Sequence, residues 1–180
     1  MFDHSTSTTA DRSAASLHFE KTVRAAGRPG ALPRLADIDF DQLRALEPWV
    51  AIISPDAAAH TLKVRLAGAG LSAFLGRDLV GYDYIDLVDE AIKGDAFDSV
   101  LLMLSRPCGL WQQTPATTTD GGKLLFEYTG FPVHDHLKGT GQIVFLIHHP
   151  LTNDTVVPRI AVVQHAREWR WLDMRELFVA

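Results

Sequence analysis

The stretch GLWQQTPATTTDGGKLLFEYTGFPV, residues 109–133, decides the fold. It contains two strand-like runs, 109–118 and 123–133, separated by the triplet Asp120-Gly121-Gly122. Glycine accepts the positive φ angles that tight hairpin turns require, so the triplet predicts an antiparallel hairpin. The second run places Leu124, Phe126 and Tyr128 on one face, as alternation along a strand demands.

A third strand candidate, residues 142–149 (QIVFLIHH), is apolar on both faces. The residues facing one way are Ile143, Phe145 and Ile147, and those facing the other way are Val144 and Leu146. An antiparallel strand with one solvated face would instead alternate with polar residues. The sequence therefore predicts that the outer face of the sheet is covered here, by the N-terminal helix, the C-terminal segment or a second subunit.

Upstream, a second hairpin is predicted from the runs 49–54 and 60–66, which are separated by the turn residues Pro55-Asp56. Glycines and helical patterns follow, with short helices predicted over 71–75 and 84–88 and a longer helix over 90–105. The order of elements implies an α+β fold, in which a five-stranded antiparallel sheet carries short helices on one face.

The two ends of the chain have different patterns. Residues 1–13 are rich in small polar residues and predict a disordered tail. Ser13 is a plausible N-cap for an N-terminal helix over 14–26, and residues 14–27 are taken as that unit. Residues 151–180 form a C-terminal extension, with a strand predicted at 159–164 and a helix at 171–179.

Charge and cysteine content exclude several classes of function. The 180 residues include 17 Lys and Arg against 22 Asp and Glu, for a net charge of −5. This balance argues against a nucleic-acid surface and against a polybasic membrane anchor. Cys108 is the only cysteine, which excludes an intrachain disulfide and a cysteine-based zinc cluster. The start of the chain does not have the pattern of a signal peptide, so a cytoplasmic protein is expected.

Several motifs resemble those of a known family. The pieces are Arg28-Pro29 with PRLADID at 33–39 and Leu43, VRLAG at 64–68, GRDLVG at 76–81, and the turn at 120–122 leading into Phe131-Pro132-Val133. Residues 28–150 resemble a PAS domain, and more closely the bacterial PAS-like family once catalogued only as a domain of unknown function. Within the motifs, an architectural role is predicted for Arg65, Gly68, Gly76, Arg77 and Gly81, with the arginines bonding carbonyls of the glycine-rich loop.

The resemblance implies a stand-alone sensory or adaptor domain that binds a small molecule, a partner protein or both, without catalysis. A ligand would lie between the inner sheet face and the longer helix. The residues predicted to line such a cavity are Val64, Val100, Leu104, Arg106, Trp111, Gln113, Phe126, Tyr128 and Phe145. The same side chains would otherwise fill a solid core, which describes a ligand-free interaction protein.

No cofactor is identified from the sequence. Haem-binding relatives take the axial histidine from the helix before the third strand, but residues 84–107 contain no histidine, which leaves only His60 or His148. Cys108 lacks the Asn-Cys-Arg context of light-sensing flavin relatives and is predicted to be a buried, inert thiol.

Histidines suggest two further arrangements. His134 and His136 share one side of an extended segment, and His148 or His149 would lie across a hairpin from them; surface histidines are favoured there over a metal site. The enzyme alternative is a small α+β enzyme in which His136 or His148 acts as an acid–base group beside Asp120 or Glu127.

A homodimer through the N-terminal helix and the outer sheet face is the expected assembly. The aromatic-basic segment around Trp169 and Trp171 fits either an interface or packing on the sheet.

Overall fold

The computed structural model describes residues 11–135, 141–152 and 159–175. One antiparallel sheet forms the centre of the structure. Its strands are β1 (Val50–Asp56), β2 (Thr61–Ala67), β3 (Cys108–Thr118), β4 (Lys123–Asp135), β5 (Gly141–Pro150), β6 (Ile160–Val163) and β7 (Glu168–Asp173). The strand order is β2-β1-β5-β4-β3, and both β6 and β7 pair with the free edge of β3.

The predicted α+β class is confirmed, and each of the five predicted strands is present. The sheet has two more strands, β6 and β7, so the predicted count of five is wrong. Strand β6 matches the strand expected at 159–164, whereas β7 replaces the first part of the helix expected at 171–179. The reason is the alternation of Trp169 and Trp171 with Arg170 and Leu172, because these pairs face opposite sides of a strand. Residues 176–180 of that predicted helix lie outside the described residues.

The helices are α1 (Ala14–Ala25), α2 (Ala69–Leu75) and α3 (Lys93–Ser105), with short 3₁₀ segments at Leu35–Asp37, Arg44–Trp49, Tyr84–Leu87 and Glu90–Ile92. The predicted N-cap is confirmed, because the Ser13 hydroxyl accepts a hydrogen bond from the Ser16 amide at 3.1 Å. Helix α3 ends at Ser105, two residues before Pro107, whose ring disfavours helical backbone in the residue that precedes it.

Helix α1 covers the outer face of the sheet. Phe19 and Val23 are fully buried there, and the Phe19 ring lies 5.0 Å from that of Phe145 and 6.1 Å from that of Phe131. The predicted cover for the two-sided strand β5 is confirmed, and it is supplied by the chain's own helix together with the segment that holds Ile38, Leu43 and Leu46. The homodimer stays a prediction. The outer sheet face is covered by the chain's own helix, so it is not a free surface for a second subunit.

The inner face of the sheet packs against α2, α3 and the 3₁₀ segments between them. This second core contains Ile53, Leu62, Val64, Phe97, Val100, Met103, Val144 and Leu146. The sheet therefore has an apolar layer on each side, which explains why β5 lacks polar alternation over residues 143–147.

The family-like motifs hold the loop between β2 and α3. A Cβ atom on Gly68 would lie 2.5 Å from the carbonyl carbon of Pro48, so only glycine fits there. Gly76 ends α2 with a positive φ of 65°. Arg65 pairs with Asp135 at 2.8 Å, and Arg77 lies over the Tyr82 ring at 4.7 Å. The bonding of loop carbonyls by these arginines stays a prediction.

The turn at Gly81 closes the same loop against β2. Gly81 has a φ of 86°, and its amide donates a hydrogen bond to the Val64 carbonyl at 2.8 Å. The Val64 amide in turn donates to the Tyr82 carbonyl at 2.9 Å. Part of the edge of β2 is therefore paired within the chain rather than open to another strand.

Candidate ligand-binding site

A cavity of about 350 Å³ lies between α3 and the inner face of the sheet, beside β3, β6 and β7. Its volume falls within the range of about 300–1,000 Å³ that is usual for small-molecule pockets. Ala96, Ser99 and Val100 of α3 form one wall, and Leu110, Gln112 and Thr114 of β3 form the facing wall. Tyr84, Tyr128 and His148 close the deep end, and Val163 to Ala166 with Trp169 and Trp171 form the C-terminal side.

His148 is the central polar group at the deep end. It is 6% exposed, and the hydroxyls of Thr114 and Tyr84 lie 3.3 Å from its Nε2 and 3.4 Å from its Nδ1. Burial, with a smaller contribution from the neighbouring His149, lowers its pKa to about 3. The imidazole is therefore neutral at physiological pH, with one ring nitrogen donating and the other accepting.

We expect His148 to make stability depend on pH. An unfolded histidine takes up a proton near pH 6.5, whereas folded His148 does so only at its much lower pKa. Between these two pKa values, the unfolded state binds one proton more than the folded state. The contribution of His148 to the free energy of unfolding is therefore complete above pH 6.5. It falls by about 1.4 kcal/mol for each pH unit below that value. Between pH 7 and pH 5, urea unfolding should show a loss about 2 kcal/mol larger in the wild type than in His148→Gln. The neighbouring His149, whose pKa burial also lowers, contributes equally to both proteins. Equal losses in the two proteins would show that His148 is not buried in the neutral form.

Two polar side chains face the cavity without using their hydrogen-bonding capacity on the protein. The Tyr128 hydroxyl has no hydrogen bond to any other described residue, and neither does the Gln112 side-chain amide. Space for the Tyr128 hydroxyl is provided by Gly130, where a Cβ atom would lie 2.5 Å from it. Burial raises the Tyr128 pKa, which keeps the phenol protonated and able to donate.

The C-terminal side of the cavity is aromatic. The rings of Trp169 and Trp171 project to the same face of β7, 6.3 Å apart at an interplanar angle of 71°. Both are partly exposed and line the cavity rather than a closed core. Partly exposed indoles beside a cavity offer flat apolar surface to a bound molecule.

The structure brings together only some of the predicted site residues. Val100 and Tyr128 line the cavity, and Val64 and Phe126 line a smaller pocket of about 30 Å³ that shares Tyr84 and His148 with it. Leu104 packs against the inner core, and Arg106 is exposed at the end of α3. Ligand binding by these side chains stays a prediction.

Trp111, Gln113 and Phe145 lie on the outer face, which corrects their assignment to the cavity. Trp111 and Phe145 are fully buried in the core beneath α1. Because neighbours along a strand alternate, Gln112 faces the cavity and Gln113 faces away from it.

The sequence did not predict Gln112, Thr114 or Tyr84 as lining residues, and it pointed to His148 only as a haem ligand or an acid–base group. One signal was present in the turn at 120–122. In the structure Gln112 lies directly opposite Tyr128, and directly opposed residues share a face. Since Tyr128 was predicted to face inward, a hairpin with three loop residues at this turn would have favoured Gln112 over Gln113.

A buried polar cluster on the outer face ties α1 to the sheet. Glu127 is fully buried and accepts hydrogen bonds from Trp111 Nε1 at 2.7 Å, from the Ser13 amide at 3.0 Å and from the Ser13 hydroxyl. His149 Nε2 lies 3.4 Å from the same carboxylate. The carboxylate thus lies at the positive end of the α1 dipole, which stabilises its charge.

The histidine–carboxylate arrangement of the enzyme alternative is wrong for His148. Its polar neighbours are hydroxyls, Glu127 lies on the other face, and Asp120 bonds Thr118 and Gly122 in its own turn. His136 lies outside the described residues. The cluster on the outer face does not form a relay either, because Ser13 and Glu127 both approach Nε2 of His149 while the buried Nδ1 has no partner.

The remaining histidines and the cysteine occupy other positions. His134 pairs with Gln142 across the β4–β5 hairpin, and His148 pairs with Tyr128, so neither lies opposite the other as the metal alternative required. The favoured expectation of surface histidines is wrong for His148 and His149, because both are buried. Among the described residues, no three metal-binding side chains converge on one point. Cys108 is half-buried at the start of β3, where burial raises its pKa to about 11.

The sheet order and the helices packed on its inner face define an α+β domain with a curled antiparallel sheet. The family model of the PAS domain matches residues 11–140, and the chain belongs to that family. Proteins of this family are sensory and interaction domains and are generally non-catalytic. No curated protein matches the chain. In the described part of the chain, no helix is both long and apolar enough to span a bilayer.

The family match ends at residue 140, before β5, β6 and β7. All three strands nevertheless belong to the sheet: β5 contributes His148 to the cavity, and the segment with β6 and β7 contributes the indole pair and residues 163–166. The candidate site is therefore built from the family domain together with a segment that the family model does not include.

Proposed function

We propose that this PAS domain is a sensor that binds a small organic molecule in the cavity between α3 and the sheet. The observation that supports this most strongly is the pairing of open, mostly apolar space with two unused polar groups, Gln112 and Tyr128. A cavity of this kind, with few converging polar groups, is typical of ligand sites. A side chain that only filled the core would instead be satisfied by its neighbours.

Binding would act on β6 and β7. These strands line the cavity and pair with β3, while Asp89 donates a backbone hydrogen bond to the Val163 carbonyl at 2.9 Å. A ligand held between α3 and the indole pair would contact α3 on one side and the segment of β6 and β7 on the other. It would favour the arrangement in which the two strands are docked on β3, which is a shift of population that a partner protein can detect.

Thermal unfolding with a chemically diverse compound panel tests the proposal. A ligand at about 100 times its Kd stabilises the native state by about 2.7 kcal/mol, which raises the Tm of a domain of this size by about 5 °C or more. Ser99→Trp places an indole in the cavity and should abolish the shift. Ser105→Trp, at the exposed end of the same helix, should retain it.

The panel also discriminates the competing hypothesis of a ligand-free interaction protein. If no compound raises the Tm, or if Ser99→Trp responds as the wild type does, small molecules do not bind in this cavity. The domain would then act through protein contacts alone.

A further inference from the structure

We infer that the ligand is a neutral, planar aromatic compound with an amide-like hydrogen-bonding edge, held between the indole pair Trp169 and Trp171 and the α3 wall. This inference rests on the proposed function and specifies its ligand. It is supported by the charge, the shape and the polar groups of the cavity.

The charge of the cavity disfavours an anion. No lysine or arginine is among the described residues that line it, and the one lining carboxylate, Asp95, is exposed. Of the two lining histidines, His148 is neutral at neutral pH and offers no counter-charge, and His165 is exposed. A carboxylate or phosphate entering this space would lose its hydration without gaining an ion pair, which is strongly unfavourable.

The shape of the cavity favours a flat molecule. On one side are two indole rings set on a rigid strand that pairs with β3 over six residues. On the α3 side, Ala96 and Ser99 are small, so the helix presents little that projects into the space. Broad aromatic surface facing small side chains suits a planar ring that stacks on or packs edge-on against indole.

The polar groups define the edge of that ring. The Gln112 amide offers both a donor and an acceptor, and the Tyr128 phenol stays protonated and donates. Gln112 and Tyr128 are directly paired across β3 and β4, so their side chains lie side by side on one face of the sheet. A lactam, amide or N-heterocycle carries the complementary donor and acceptor on adjacent atoms, whereas a hydrocarbon would leave both protein groups unpaired.

The test compares two probes that share one ring system. 2-Quinolinone is a neutral lactam, and quinoline-2-carboxylate is its anionic counterpart at neutral pH. In NMR titrations of the wild-type protein we expect 2-quinolinone to shift cavity resonances and to bind at least tenfold more tightly than the carboxylate. Gln112→Leu should weaken 2-quinolinone binding about tenfold, while Gln113→Leu, one position along on the opposite face, should leave it within twofold.

Other outcomes separate this inference from the proposed function. Equal or tighter binding of the carboxylate, blocked by Ser99→Trp, overturns the ligand class but keeps the cavity as the site. The same conclusion follows if Gln112→Leu and Gln113→Leu bind 2-quinolinone equally well. It also follows if the compounds that raise the Tm of the wild type, but not that of Ser99→Trp, are charged or non-aromatic. If neither probe nor any panel compound binds in the cavity, both the inference and the proposed function fail.

Discussion

Phe19→Ala is expected to lower the free energy of unfolding by about 3–5 kcal/mol, the usual cost of removing a fully buried phenylalanine ring. Phe19 is completely buried between α1 and the sheet, and its ring contacts those of Phe131 and Phe145. The residues of β5 on that face, Ile143, Phe145 and Ile147, are all apolar. A loosened α1 would therefore expose a contiguous apolar surface. Urea unfolding measures the loss, and light scattering should reveal association of the variant at raised concentration.

The matched control is on the same helix. Leu17 is 53% exposed, and Leu17→Ala should change stability by no more than about 0.5 kcal/mol. Both substitutions leave alanine, a good helix former, so the comparison isolates packing on the sheet from helix propensity. Similar effects of the two substitutions would mean that α1 does not cover the outer face as described.

Glu127→Leu is expected to destabilise the fold by about 3 kcal/mol, because it leaves the buried Trp111 indole N–H and the half-buried Ser13 amide without an acceptor. The change also removes the carboxylate at the start of α1 and the acceptor of the Ser13 hydroxyl. Amide hydrogen exchange should quicken first in the opening turn of α1, since that end of the helix is held by this cluster.

Glu127→Gln is the control for this cluster. Its side-chain oxygen still accepts from Trp111 and Ser13, and its volume is almost unchanged, so we expect a loss of about 1 kcal/mol or less. If Leu and Gln at position 127 are equally tolerated, the hydrogen bonds of Glu127 contribute little and the attachment of α1 depends on its apolar face alone.

The core of the fold was predictable because local signals agreed with one another. The turn at 120–122 predicted the pairing of β3 with β4, Pro107 the end of α3, and Ser13 the start of α1. The apolar run of β5 correctly required a covered outer face. Each of these signals acts within a few residues of the structure that it determines, so the sequence alone carries it.

The candidate site was predictable only in part, since which face of a strand points inward depends on packing. Phe145 belongs to a strand that is apolar on both sides, where alternation gives no direction. Trp111 is large and apolar, yet it lies beneath α1 with its indole N–H bonded to Glu127. The C-terminal wall was missed for a different reason: β7 pairs with β3, about 60 residues earlier, and no local signal reports so distant a pairing.

The central claim is that a ligand occupies the inner-face cavity, and the indole N–H signals in a ¹H–¹⁵N spectrum test it directly. Trp169 and Trp171 line the cavity, whereas Trp111 is buried on the opposite face and bonded to Glu127. Titration with a compound that raises the Tm should shift the signals of Trp169 and Trp171 and leave that of Trp111 in place. A shift confined to Trp111, or no shift of either cavity indole at saturation, would contradict the account.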